Sequence, residues 1–168
     1  MHEVKVSILK RADLFIFAVL LSAATLAPLA GNQFVTGTIV NCALITAVCT
    51  IGVRYALLIG IIPSTIALAT GLLPVVLSPA IPFIILGNAV LILSFDYLRR
   101  TSYWLGAAGG AVLKSGLLFG TTSVVISLLS NQNAAAGVAY MMSWPQLVTA
   151  LAGGLAAFGI LSIKKKMD

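Results

Sequence analysis

Residues 81–129 read IPFIILGNAVLILSFDYLRRTSYWLGAAGGAVLKSGLLFGTTSVVISLL, two long apolar runs parted by Arg99-Arg100-Thr101-Ser102. A helix crosses a bilayer core with about 20 apolar residues at about 1.5 Å each, and both runs are of that length. The rest of the chain repeats the pattern. Hydrophobic residues make up 60% of the 168 positions and charged residues only 8%, where a soluble domain carries roughly a quarter charged. The composition predicts an all-α integral membrane protein and excludes a water-soluble fold.

The runs divide the chain into a six-transmembrane-helix bundle forming one membrane domain over 1–168, with spans of about 13–30, 36–53, 55–77, 80–98, 103–129 and 144–163. Pro28 and Gly31-Asn32-Gln33 end the first span, Arg54 the second and Ser78-Pro79 the third; proline is tolerated where a helix is already ending. No small-x-small cleavage site follows the first run, so it reads as a retained helix. Loops rich in Lys and Arg stay on the cytoplasmic side. Alternate segments hold Lys5, Lys10, Arg11, Arg54, Arg99, Arg100, Lys164, Lys165 and Lys166, while the loops at about 31–35, 78–80 and 130–143 hold none. Both termini are therefore expected in the cytoplasm. The net charge of +6 sets topology, and with the basic residues at helix ends no nucleic-acid partner is expected.

Lys114 lies about eleven residues into the fifth span, near mid-membrane. A charge there costs at least about 2.5 kcal/mol, so a functional site is the first reading and a snorkelling or carbonyl-paired lysine the second. Ala107, Gly110, Ala111, Leu118 and Thr121 share its helix face, and being mostly small they are expected to leave a cavity beside it. Gly106-x-x-x-Gly110 and Gly116-x-x-x-Gly120 are close-packing motifs. Asn41 and Asn88 are buried amides that need hydrogen bonds, most simply between helices. Ser143-Trp144-Pro145-Gln146 opens the last span: Ser143 can cap it, Pro145 suits the first turn, and free amides at the positive end of the dipole would favour an anion. Trp144 there is either an interfacial anchor or a ligand wall. Ser130–Ser143 is either a lid or short interfacial helix over the bundle, or a plain connector. Asp96 with Arg99 and Arg100, and Asp13 with Lys10 and Arg11, read as local ion pairs.

Cys42 and Cys49 are seven residues apart on one helix, too far to be bridged; two such cysteines cannot hold an iron–sulfur cluster. His2 is the sole histidine, and no carboxylate pair, Gly-rich phosphate loop or Walker lysine is present, so no metal, cofactor or catalytic residue is expected and the chain reads as a non-enzyme. A binding or transport subunit fits better than the rivals, a membrane enzyme acting on lipid or a structural or channel-forming oligomer.

In size, span number, cytoplasmic ends and neutral outer loops the chain resembles the substrate-binding S components of energy-coupling factor (ECF) vitamin transporters. In that family an A-x-x-x-A spacing early in helix one lets a partner's coupling helices dock, and Ala18-x-x-x-Ser22 and Ala23-x-x-x-Ala27 stand in that place, with Ser22 a departure. Cobalt and nickel members use an N-terminal Met-His as metal ligand; Met1-His2 here lacks a second histidine and lies on the inner side. The resemblance implies a bacterial or archaeal plasma membrane protein that works with a transmembrane coupling protein and two ATP-binding subunits. It also implies a vitamin- or cofactor-like ligand held at the outer face by Gly31–Phe34, Pro79–Asn88, Gly110–Thr121 and Ser143–Gln146. With the residue chemistry, this nominates Lys114, Asn32, Gln33, Asn88, Gly110, Thr121, Trp144 and Gln146 as substrate-binding, and an anionic ligand group.

Overall fold

The computed structural model describes residues 11–69, 75–129 and 132–167, without the side chains of 67, 75–77, 132–134 and 164–167. Met1, His2, Lys5, Lys10, Ser130 and Asn131, and the side chains of Gln132, Asn133 and the three terminal lysines, lie outside that description. Among the described residues every regular element is helical: α1 (Arg11–Leu26), α2 (Gln33–Thr50), α3 (Val53–Ala69), α4 (Ile81–Leu98), α5 (Tyr103–Ser127), α6 (Gln132–Met141) and α7 (Pro145–Met167), with 3-10 turns at Ala27–Ala30 and Val75–Ala80. Five stretches are long and apolar enough to cross a membrane: Arg11–Ala30, Gln33–Thr50, Ser78–Leu98, Tyr103–Ser127 and Ala135–Ile163. The apolar helix Val53–Ile66 is shorter.

Boundaries differ from the sequence reading where local capping outweighs hydrophobicity. α2 starts three residues before the expected Thr36 because Asn32 is its N-cap, its Oδ1 accepting the amides of Phe34 at 2.8 Å and Val35 at 3.3 Å. It stops at Thr50, ahead of the expected Val53, because Gly52 takes a left-handed φ of 96° and its N–H reaches the Ala47 carbonyl at 2.9 Å. The third span was expected to run to Leu77, yet Val75–Ala80 form a 3-10 turn and not a continuation of α3. Pro63 lies inside α3. The 130–143 loop contains α6, and Ser143 does not cap α7: its hydroxyl donates to Tyr140 O at 2.7 Å and closes α6 instead.

Glycines decide which helices meet. α2 and α7 make the most extensive contact, running parallel, because Gly37 faces Thr149 and Gly153 faces Asn41 and Cys42. α4 and α5 pack antiparallel through Gly106 against Phe95 and Arg99, and Gly110 against Leu91. The second motif of α5 does not act this way, since a side chain at Gly116 or Gly120 would meet nothing within 4 Å. α1, α3 and α5 run one way and α2, α4 and α7 the other, so Arg11, Arg54, Arg99 and Arg100 share one end of the bundle and Asn32, Gln33 and Gln146 the opposite end.

At the arginine end Asp96 pairs with Arg99 at 2.7 Å and Arg100 at 3.9 Å, whereas Asp13 makes no ion pair with Arg11. Between the ends, Leu44, Ile45, Val48, Ala56, Ile59, Leu91, Ile92 and Phe95 form a dry core. Phe95 meets Tyr103 edge-on at 5.4 Å, and the Tyr103 hydroxyl donates to Gly154 O at 2.7 Å, tying α5 to α7. Cys42 and Cys49 are free thiols. On α1, Ala18, Ser22 and Ala23 are exposed, but Ala27 is buried in the 3-10 turn and is removed from the expected docking face.

Candidate functional site

Among the described residues one polar centre lies at mid-bundle. Lys114 of α5 is 4% exposed, and its Nζ donates to Asn41 Oδ1 of α2 at 2.6 Å and Asn88 Oδ1 of α4 at 2.8 Å. Both amides are turned that way by their other ends. Asn88 Nδ2 donates to Gly60 O of α3 at 3.1 Å, and Asn41 Nδ2 to Thr149 Oγ1 of α7 at 3.4 Å, while Thr149 donates to Gln146 O. The interhelical bonding expected of the two asparagines is thus present, and it converges on the lysine. Five helices meet through it.

This arrangement solvates an ammonium without neutralising it. Two amide oxygens take two of its three N–H groups, and no carboxylate accompanies it among the described residues. The third donor remains for something else. A buried cation with dipoles but no counter-ion is electrostatically incomplete in a low-dielectric interior, and a bound anion would complete it.

Lys114, Asn41, Asn88 and Thr149 are on the wall of a cavity of about 340 Å³, at the lower end of the roughly 300–1,000 Å³ range of small-molecule sites. The space does not come from the small residues of α5, contrary to the sequence reading. Ala107, Gly110, Ala111 and Leu118 are buried, with Gly110 facing Leu91 and Leu118 facing Gly87, so these residues spend their smallness on helix contact. Room is left instead on the α1–α3 side, where Ala24, Gly37, Val40, Ile59, Gly60, Pro63 and Ser64 form the wall, with Ile81 and Ile84 of α4 opposite.

The mouth is neutral and polar. Gln33 Nε2 and Gln146 Nε2 both donate to one acceptor, Met141 O at the end of α6, at 2.9 and 2.8 Å. That shared carbonyl clasps the start of α2, the end of α6 and the start of α7 together. Gln33, Gln146, Met141 and Asn32 all border the cavity.

Five of the eight nominated residues therefore come together on one cavity: Lys114, Asn88, Asn32, Gln33 and Gln146. Three do not. Gly110 is in the α4–α5 contact. Thr121 turns its hydroxyl to Leu117 O and Leu118 O of its own helix. Trp144 is 57% exposed and packs on Phe34 and Tyr140. The amides at the start of α7 are not free for an anion either, because Gln146 N and Leu147 N bond to Ser143 O and Trp144 O, both at 3.1 Å. Asn41, Thr149 and Ser64 were missed as site residues. The buried amide of Asn41 was the available signal; which way it faces depends on how α2 is rotated against α7. Comparison with protein-family models, curated proteins and solved structures finds no match to this chain.

Proposed function

We propose that this chain is the substrate-binding membrane subunit of an ECF-type importer, capturing a small molecule with an anionic group in the cavity above Lys114. The observation that carries this reading is a mostly apolar cavity with polar groups at its base and mouth and one closed end. Beyond Asn41, Asn88 and Lys114 the bundle is filled by Leu44, Leu91, Ile92 and Phe95, each at most 1% exposed. A pore through a single copy of the chain would need a path through that layer, so a channel within the bundle is disfavoured. Release on the far side requires the helices to rearrange, and the chain carries no phosphate loop or nucleotide-binding lysine to drive it. A transmembrane coupling protein with two ATP-binding subunits would supply that work.

In this reading α3 completes a six-span bundle in a bacterial or archaeal plasma membrane, with both termini in the cytoplasm. The alternating helix directions and the shared arginine end support it, by the rule that basic ends stay inside. The mouth then opens outward, as capture from outside requires. Reporter fusions at the C-terminus and within 131–137 are expected to report opposite sides; the same side for both would show a miscounted span.

Exposed Ala18 and Ser22 are the places on α1 where bulk would obstruct a docking helix without reaching the cavity. Ala18→Trp is expected to leave ligand retention intact while at least a tenfold loss of co-purifying ATP-binding protein and of uptake follows. Unchanged uptake by a normally assembled Ala18→Trp protein would remove α1 as the docking face. Absence of any co-purifying ATPase with the unmodified chain would count against the importer itself.

A further inference from the structure

The wall chemistry of this cavity restricts its occupant further, on the premise that the cavity binds a small molecule at all. We propose that the ligand is a monoanion with a saturated carbon body and an N–H or O–H group at its far end, the anion on Lys114 and the far donor on the Gln33 and Gln146 oxygens.

The charge follows from the polar centre. Lys114 is the only charged side chain bordering the cavity among the described residues, so one negative charge balances it. A second negative charge would be left unpaired in a low-dielectric site, and a cation would meet a like charge there. The asparagines are weaker partners for an anion: one N–H of each Nδ2 is held by Gly60 O or Thr149 Oγ1, their oxygens face the lysine, and neither carries a charge. The ammonium's third N–H, helped by Ser64, whose hydroxyl bonds to no other described residue, is what an anion finds.

The body follows from the middle of the wall, where Ala24, Val40, Ile59, Ile81, Ile84 and Pro63 face the space. All are aliphatic, and among the described residues no Phe, Tyr or Trp borders the cavity. Flat heteroaromatic ligands are ordinarily held by stacking on such rings. This wall instead suits a flexible saturated chain that fills irregular apolar space.

The far end follows from the clasp on Met141. With one N–H of each Nε2 held by the same carbonyl, Gln33 and Gln146 each leave Oε1 uncommitted among the described residues, two acceptors at the mouth for a ligand donor. Gln146 is three residues from Thr149 and Gln33 eight from Asn41, placing them about 5 to 12 Å along the helices from the polar centre. A six-carbon chain with its end groups falls within that range.

Calorimetry on the full chain in lipid nanodiscs tests this with 6-hydroxyhexanoate, 6-hydroxyhexanamide, hexanoate, adipate and 2-naphthoate. The hydroxy acid is expected to bind tightest, with 6-hydroxyhexanamide at least about tenfold weaker, as loss of one charge-assisted hydrogen bond implies, and adipate and 2-naphthoate weaker still. Lys114→Met should equalise acid and amide. The double substitution Gln33→Leu with Gln146→Leu, which leaves the lysine untouched, should equalise 6-hydroxyhexanoate and hexanoate. Equal binding of acid and amide to the unmodified protein, preference for 2-naphthoate or adipate, or no effect of the glutamine pair would overturn the proposal. Native mass spectrometry separates it from its premise. A retained neutral or aromatic molecule overturns the ligand class and leaves a binding subunit, while an empty protein that binds none of the probes overturns both.

Discussion

Gly153→Val is expected to cause the largest loss of stability of any single substitution in the α2–α7 contact. A Cβ at Gly153 would lie 2.6 Å from Asn41 Cβ and 2.8 Å from Cys42 N. A backbone nitrogen cannot turn aside as a side-chain tip can, so the two helices must separate along their whole interface. Overpacking by a methylene or two costs about 1–3 kcal/mol, and three carbons against backbone belong at or above the top of that range. For a chain of this size that is a fall of roughly 6–12 °C in Tm. Separation also pulls Asn41 from Lys114 and Thr149, so ligand retention should fall with stability. Gly159→Val, which meets nothing within 4 Å on the same helix, is the control and should leave Tm within a few degrees. Thermal unfolding in detergent decides it: a Gly153→Val protein as stable as the control would mean that α2 and α7 are not held at this distance.

Lys114→Met is expected to spare folding and remove ligand binding. Methionine keeps most of the side-chain length and cannot donate, so Asn41 Oδ1 and Asn88 Oδ1 lose their partner, at about 1–3 kcal/mol for each buried acceptor left unmet. Against this, the protein no longer carries a charge at mid-membrane, worth about 2.5–3.5 kcal/mol on insertion scales. The two effects are of similar size and opposite sign, so the net change in stability is small. Nothing offsets the lost anion contact, worth about 1.5–3 kcal/mol as a charge-assisted hydrogen bond, and affinity should drop roughly ten- to a hundredfold or more. Adding Asn88→Leu to Lys114→Met removes one orphaned acceptor and should recover stability but not binding. Undiminished affinity in folded Lys114→Met protein would leave the lysine as a structural bridge between helices.

All-helical structure and apolar character were legible because they depend on averages; of the six expected spans, five are long and apolar enough to cross a membrane. A run of about 20 apolar residues leaves the backbone no choice but internal hydrogen bonds in lipid, and that is visible at Ile81–Leu98 and Tyr103–Ser127 without knowing any neighbour. Lys114 was legible for a related reason: a lone ammonium deep in an apolar run is conspicuous whatever surrounds it. The boundaries that slipped were set by single residues, Asn32 as a cap and Gly52 as a left-handed stop, each acting over three positions where hydropathy changes little.

Tertiary structure alone decided where the empty space lies. Ala107, Gly110 and Ala111 share a helix face with Lys114, but a small residue can make a cavity or consume one, and which it does depends on whether a neighbour approaches. Leu91 approaches Gly110 and closes that side, while the cavity opens on the α1–α3 side beside Ala24, Val40, Pro63 and Ser64. Likewise an asparagine's sequence position shows that it needs partners without naming them; Asn41 and Asn88 converge on Lys114 because the rotation of α2 and α4 in the bundle aims them there. Trp144 and Gln146, two residues apart at the start of one helix, were equal candidates by composition. A turn of roughly 200° about the helix axis sends Gln146 to the cavity and Trp144 to the outside. Composition determines that such a chain folds into apolar helices, five stretches of it long enough to cross a membrane, because satisfying the backbone polar groups is a property of every residue; the rotation of each helix against the next, a property of pairs, determines which of its few polar groups meet.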